Sequence, residues 1–344
     1  MALAELLKKY DYRLPPELIA QAPAKPRDLA RLLVYHRLAD KPAFDTFKNL
    51  GKYLPKNAVL VFNQTKVWPA RLVVHKITGG KVELLYISHD KKFVKFLSNR
   101  LLRPGDNLKI NAKYSFTISK KEGQFYFLRP SFPMSRLMGV LKAYGITPLP
   151  PYIKHSPLTE TQKRGAYQTI FAKTGLSVAA PTASLHFTRR LLKTLRQKGI
   201  NEKFVRLDVG LGTFAPLKDD NLKTGKLHRE FYQIDRATAD FLNLAKKAGR
   251  PIIAVGTTVA RTLESAANNR RRLSKLTGHT DLFIQESYKF KFVDGLITNF
   301  HVPKSSLLML VSVLAGRKKI LSLYQQAVKR KFRFFSFGDG MLIL

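Results

Sequence analysis

Apolar and polar positions alternate in two different rhythms along the 344 residues of this chain. Residues 58–62 (Ala-Val-Leu-Val-Phe) are continuously apolar and break at Asn63-Gln64-Thr65, which predicts a buried strand ending in a polar turn. Beyond Pro69 a period of two takes over. Arg71 to His75 and Lys81 to Ile87 flank Thr78-Gly79-Gly80, a hairpin signature, and short alternating strands continue through Lys121-Glu122-Gly123 to Leu128. Pro104-Gly105-Asp106-Asn107 punctuates this stretch and the stiff Pro148-Leu-Pro-Pro151 closes it, so a small all-β unit is expected over 67–151.

Downstream the period lengthens. Thr188 is placed to cap a helix that buries Leu191, Leu192 and Leu195 and stops at Gly199. Lys203 to Val209 reads as a strand leading into Gly210-Leu-Gly-Thr-Phe214. Asp235 caps a helix with Phe241, Leu242 and Ala245 inward and Gly249 just past its end. Ile252 to Val255 is a strand, Gly256-Thr-Thr258 opens a helix through Leu263, Gly295 to Thr298 repeats the strand, and Ser305 opens the helix Ser306 to Ala315. Strand–helix alternation predicts an α/β layer. The expected architecture is a discontinuous α/β domain from 1–66 and 152–344 into which the all-β unit of 67–151 is inserted. The pattern leaves strand order open.

Composition alters this picture mainly through charge. Lys and Arg total 61 against 23 Asp and Glu, a formal net charge of +38. Such a field draws polyanions, nucleic acid first and anionic membrane second. The bases fall in runs at Arg189–Lys198, Arg270-Arg271-Arg272 with Lys275, Arg317-Lys318-Lys319, and Lys329-Arg330-Lys331 with Arg333. The same charge spread over every solvated face is an equally good reading. The absence of cysteine excludes disulfides, a thiolate nucleophile and cysteine-ligated metal. The first ten residues lack the pattern of a secretory signal, and Leu307 to Gly316 is shorter than the ~20 apolar residues a bilayer requires. A soluble cytoplasmic protein is expected.

Three strand-end segments are chemically dense. Pro181-Thr-Ala-Ser-Leu-His-Phe-Thr188 sets hydroxyls and a histidine before a helix, where unpaired amides bind anions. Gly210-Leu-Gly-Thr213 lets a ligand approach the backbone closely. Val255-Gly-Thr-Thr258 through Arg261 to Ser265 follows a strand and opens a helix, the usual ligand position in open α/β sheets. It lacks the dinucleotide and phosphate-loop fingerprints. Gly-Thr-Thr is also a common cap, and His186, His228 and His301 each fit a structural histidine. No histidine pair has helical metal spacing, and Trp68, which could stack on a base, fits core packing better.

These segments, in this order, resemble the S-adenosylmethionine:tRNA ribosyltransferase-isomerase family of queuosine biosynthesis. The similarity starts at Tyr10-Asp-Tyr-Arg-Leu-Pro15, Ile19 to Pro23 and Pro26-Arg-Asp28, and runs through Val61-Phe-Asn63, Pro69-Ala-Arg-Leu72 and Gly79 to Glu83. It goes on through Pro148 to Ile153, Ser177 to Ala183, Leu185-His-Phe-Thr188, Val209 to Phe214, Val255 to Thr258 and Arg261 to Ser265. Thr280 to Ile284, Leu296 to His301, Leu307 to Ser312, Phe334 to Ser336 and Gly338-Asp339 complete it, nearly the whole chain. The resemblance implies an α/β domain carrying a β-barrel. It also implies transfer of the ribosyl part of S-adenosylmethionine to 7-aminomethyl-7-deazaguanine at the tRNA wobble position, giving epoxyqueuosine with adenine and methionine released. S-adenosylmethionine is then a co-substrate, no cofactor is bound permanently, no metal is required, the partners are tRNA and the nucleoside, and a monomer is favoured.

That chemistry needs groups that trade protons. His186 and His301 are the candidates, with His228 in reserve and Asp208 beside them. Arg261 would meet a phosphate or the methionine carboxylate. Thr182, Gly212, Thr213, Thr257 and Thr258 would line the nucleoside pocket, with Asn63, Arg71 and Asn299 as further binding candidates. The chain departs from the family pattern at Asp208 (histidine is usual), Ser184 (glycine), His279 (tryptophan), Gln285-Glu-Ser287 (Tyr-Pro-Gly) and Gly340 (alanine). A carboxylate at Asp208 is ionised where an imidazole would titrate. Two competing readings follow: a member that binds RNA without turnover, and a transferase with another nucleoside or acceptor.

Overall fold

The computed structural model describes residues 3–210 and 217–344. The apolar runs form the interior of a nine-stranded sheet. Its order is Thr277–Leu282, Lys226–Gln233, Asn201–Leu207, Val59–Asn63, Ile252–Val255, Gly295–Asn299, Gly340–Ile343, Arg31–His36 and Lys41–Thr46. The central strands from Asn201–Leu207 to Gly295–Asn299 run parallel, pairing Phe204 with Phe62, Ile253 with Leu60 and Ala254 with Leu296. Val59–Asn63 and Ile252–Val255 are buried along their whole length because both faces are covered. Alternate residues serve opposite cores. Val59, Val61 and Ala254 pack with Val259, Leu263 and Leu308 on one side, and Leu60, Phe62 and Ile253 pack with Leu191 and Leu195 on the other.

The helix starts read from the sequence are capped in the structure. The side chains of Thr188, Asp235 and Ser305 accept hydrogen bonds from the amides of Leu191, Thr238 and Leu308. The period-two stretch closes into a six-stranded barrel of Phe125–Pro130, Val94–Ser98, Lys81–His89, Arg71–Lys76, Asn107–Lys109 and Ser115–Glu122. Closure removes the exposed strand edges of a small sheet. Helix Leu137–Tyr144 stops the barrel, burying Leu137, Val140 and Leu141 against its core. A separate cluster of Ala20, Val67, Leu149, Ile153, Tyr167, Ala180, Leu185 and Phe337 packs where the chain leaves and re-enters the large sheet.

The strand expected over Lys203 to Val209 spans Asn201–Leu207 instead. It ends early because Asp208 turns aside to accept a hydrogen bond from Thr65 Oγ1 (2.7 Å) and to pair with Arg206. No helix among the described residues is long and apolar enough to cross a membrane, and no group of three or more His, Cys, Asp or Glu side chains there is placed to hold a metal ion.

Gly340, on the strand beside Gly295–Asn299, lies in close approach to its neighbours in this chain. A Cβ there would lie 2.9 Å from the Phe47 ring and 2.9 Å from the Thr298 carbonyl oxygen. Gly340→Ala is expected to lower stability by about 1–3 kcal/mol through overpacking, read as a reduced urea midpoint at unchanged slope. An unchanged midpoint would mean that Phe47 yields freely.

Candidate active site

The carboxyl ends of Val59–Asn63, Asn201–Leu207, Ile252–Val255 and Gly295–Asn299 meet at one edge of the sheet, where open α/β layers place their ligands. After Val255, Gly256 turns the chain into helix Thr257–Ala266 with φ of +99°, a conformation open to glycine. The first amides of that helix have no intrahelical acceptor. They border a cleft of about 690 Å³, including its open mouth. Pro181 and Thr182 form one wall, Thr257 and Thr258 a second, Thr298 to Val302 a third, and Tyr152 with Phe335 and Ser336 the last.

His301 is held from three sides. Its Nε2 is 2.8 Å from Thr298 Oγ1, its amide donates to the Tyr324 hydroxyl (3.0 Å), and its carbonyl accepts from the Tyr12 hydroxyl (2.5 Å). The amino-terminal Tyr10-Asp-Tyr12 motif therefore serves the site from a distance of almost three hundred residues. Burial pushes the His301 pKa down to about 3, because the imidazolium loses its water. Asn299 Nδ2 faces His186 Nε2 at 3.2 Å, the Phe335 carbonyl at 3.1 Å and the Asp339 carbonyl at 3.4 Å. His186 is stacked on Phe47 with ring centroids 4.1 Å apart, and lies behind the cleft wall. Its pKa also falls to about 3, first through burial and then through the positive charges of Arg333 and Arg27.

The candidates thus separate. Thr182, Thr257, Thr258, Asn299 and His301 converge on the cleft. Asn63 is fully buried beneath it, its amide bonded to both backbone groups of Leu207 and to the Thr65 amide. Arg261 points away and forms a buried ion pair with Glu230, while its Nε donates to the Leu282 carbonyl (3.1 Å). Asp208 lies beside Val209, bound to Thr65 and Arg206, outside the cleft lining. His228 is exposed on strand Lys226–Gln233, and Arg71 sits on a barrel strand donating to the Leu149 carbonyl (3.2 Å). Gly212 and Thr213 lie outside the described residues.

Sequence reasoning missed Tyr152, Ser336 and Glu230. The Tyr152 hydroxyl is 2.7 Å from Ser336 Oγ, its ring is 4.8 Å from that of Phe335, and burial raises its pKa to about 12. The available signal was its place directly after Pro148-Leu-Pro-Pro151. Glu230 was visible as the lone acid in Lys226-Leu-His-Arg-Glu230; it accepts the Gly210 amide (2.9 Å) as well as Arg261. The motif Pro26-Arg27-Asp28 proves to be scaffolding. Asp28 accepts from Thr188 Oγ1 (2.8 Å) and Arg190 (3.0 Å), and Arg27 donates to the carbonyls of Gln168 (2.8 Å) and Gly165 (2.6 Å). Asp339 likewise accepts the amides of Arg31 (2.9 Å) and Arg333 (2.8 Å). Trp68 donates its indole N–H to the Gly175 carbonyl (3.0 Å).

Comparison with known proteins agrees over almost the full length. A family model described as "Queuosine biosynthesis protein" matches residues 7–343. The chain is 46% identical over 346 residues to the S-adenosylmethionine:tRNA ribosyltransferase-isomerase of Carboxydothermus hydrogenoformans, covering 98% of this chain and 99% of that one. It is 44% identical to the enzyme of the same name from Desulforamulus reducens, over 98% and 99% of the two chains. The crystal structure of S-adenosylmethionine tRNA ribosyltransferase from Thermotoga maritima matches with a TM-score of 0.56 and 34% identity, covering 98% of this chain and all of that one. The strand-end cleft, the barrel inserted in an α/β sheet and these relationships agree: the chain belongs to the queuosine biosynthesis protein family, that of the S-adenosylmethionine:tRNA ribosyltransferase-isomerases.

Proposed function

We propose that this enzyme transfers and isomerises the ribosyl part of S-adenosylmethionine onto 7-aminomethyl-7-deazaguanine at the wobble position of a tRNA, giving epoxyqueuosine and releasing adenine and methionine. The observation that carries this reading is 46% identity with a ribosyltransferase-isomerase over 98% of the chain. The net charge of +38 suits an RNA substrate, which is bound through its phosphates and loses affinity as salt rises. The protein then acts in the cytoplasm, where tRNA is modified. A division into 1–66 with 152–344 and 67–151 is our domain assignment, and the barrel of 71–130 falls inside the inserted part.

The sulfonium acidifies the ribose 5′ carbon, so a base takes that proton. Adenine leaves as a neutral molecule once a proton reaches it, and the aminomethyl nitrogen attacks unprotonated. His301 is the candidate for proton transfer, since it is the one histidine among the described cleft-lining residues, and burial, which weakens it as a base, makes its protonated form a ready donor. Its conjugate acid is correspondingly strong, which suits delivery of the proton to the departing base. Thr257 and Thr258, with the free amides at their helix start, are suited to sugar hydroxyls.

Adenine release from S-adenosylmethionine tests the reaction. Release that requires tRNA carrying the aminomethyl-deazaguanine base is expected. Binding of both partners without release would establish an RNA-binding member without turnover, and release with unmodified RNA would establish another acceptor. His301→Ala is expected to lower turnover about 100-fold while tRNA affinity stays near wild type; near-normal turnover would remove its role.

A further inference from the structure

Asn299 ends strand Gly295–Asn299 and is 2% exposed, yet it lines the cleft. Its Nδ2 faces three acceptors: His186 Nε2, the Phe335 carbonyl and the Asp339 carbonyl. Main-chain carbonyls cannot donate, so the amide nitrogen must be the atom on that side, and the group cannot flip. His186 Nε2, facing an N–H donor, is therefore the bare nitrogen of its ring, with the proton on Nδ1. Phe47, stacked on the imidazole, and Gly340, against which Phe47 packs, hold the ring in that position. The remaining atom, Asn299 Oδ1, is buried and has no hydrogen-bond partner among the described residues. An unmet buried acceptor is costly, and a ligand donor recovers that cost.

We propose that Asn299 is a specificity-determining residue of this cleft, whose Oδ1 accepts an N–H from the exocyclic 6-amine of a purine, and that His186 is its positioning residue. The proposal rests on the reading of the cleft as a site for S-adenosylmethionine. The wall beside Asn299 is aromatic: Phe335, whose carbonyl holds the amide, packs against Tyr152 with the two rings tilted by 53°. No carboxylate occurs among the described cleft-lining residues to balance an ammonium group. Sugar hydroxyls, which donate and accept, find matching groups at Thr257 and Thr258. An acceptor whose own N–H groups are spent separates an amine from a carbonyl, because a 6-oxo purine would oppose oxygen to oxygen. Asn299 lines the cleft while its Oδ1 is buried, so the wall opens locally when an amine reaches that atom.

The test is equilibrium binding to the full-length protein of S-adenosylmethionine and of two analogues, one with the 6-amine replaced by hydrogen and one by oxygen. Wild type is expected to bind the oxo analogue about 100-fold more weakly than S-adenosylmethionine, with the hydrogen analogue between, as for sites built around a ligand hydrogen bond. Asn299→Ala should reduce the discrimination to about threefold or less. His186→Phe keeps a ring on Phe47 but offers no acceptor, and should lose discrimination; His186→Gln supplies an acceptor oxygen and should restore it. A purely structural His186 would change stability in both variants and discrimination in neither, which overturns its role. Equal binding of all three compounds by wild type overturns the proposal even where tRNA-dependent adenine release proceeds, and this wild-type series stands if a variant fails to fold. Absence of S-adenosylmethionine binding together with absence of adenine release overturns the proposed reaction itself, and the inference with it.

Discussion

Replacing Arg261 by methionine is expected to lower the unfolding free energy by about 3–5 kcal/mol, the range for removing one partner of a buried ion pair. The Arg261 and Glu230 side chains are 6% and 2% exposed. With the guanidinium gone, a carboxylate remains in the interior, and the Leu282 carbonyl loses the Nε donor that now satisfies it. One guanidinium nitrogen, Nη2, is already buried without a partner among the described residues, so the pair contributes little beyond mutual compensation. The double replacement Arg261→Met with Glu230→Met is therefore expected to recover most of the loss, as for other buried pairs exchanged for apolar groups. Because Glu230 also holds the Gly210 amide next to Val209 in the cleft wall, the single variant should weaken S-adenosylmethionine binding as well. Urea titration of the two variants beside wild type decides it. A single variant as stable as wild type would mean that water reaches Glu230.

The contrast between Arg261 and His301 explains how far the site was legible. A pattern of strand, Gly-Thr-Thr and helix marks where a helix start faces a strand-end crevice, since that placement depends on local turn geometry and the layer architecture. Thr257 and Thr258, which line the cleft, were marked this way, whereas Asn299 was named only within the family-like segment Leu296 to His301. The sequence carried no information on which way a polar side chain leaves its helix relative to a distant strand. Arg261 sits one turn beyond Thr257, and its partner Glu230 comes from strand Lys226–Gln233, an element whose mixed charge hides the alternation of burial. Thr277–Leu282 went unrecognised because it has a single apolar residue and no alternation, and Arg317–Lys329 because basic residues on its solvent side mask the buried Ile320, Leu323, Tyr324 and Ala327. The barrel was legible because its alternation is local, hairpin by hairpin, and the turn residues mark each reversal. His186 shows the opposite limit. Histidine type and helix-start position suggested proton transfer, whereas its depth behind Asn299 depends on Phe47 and Gly340, residues that only the folded sheet brings together.

Acid should unfold this protein early, beginning below about pH 6.5, because two histidines are buried in neutral form. Burial lowers both His186 and His301 to about 3 from an ordinary value of 6.5. Between those values the unfolded chain binds protons that the folded chain refuses, so stability rises with pH across the window and is lost as pH falls. The contribution is fully present above pH 6.5. From pH 7 to pH 5 each histidine removes about 2 kcal/mol, about 4 kcal/mol for the pair, as follows from 1.36 kcal/mol per unit of pKa difference. Most carboxylates stay ionised over that interval, so the histidines dominate the slope. Urea midpoints at pH 7, 6 and 5 measure it, and His301→Gln should remove about half of the pH dependence, whatever it does to stability at pH 7. A midpoint that holds level from pH 7 to pH 5 would mean that solvent or a structural opening admits the proton at little cost, and the closed wall between Asn299 and His186 would have to be abandoned.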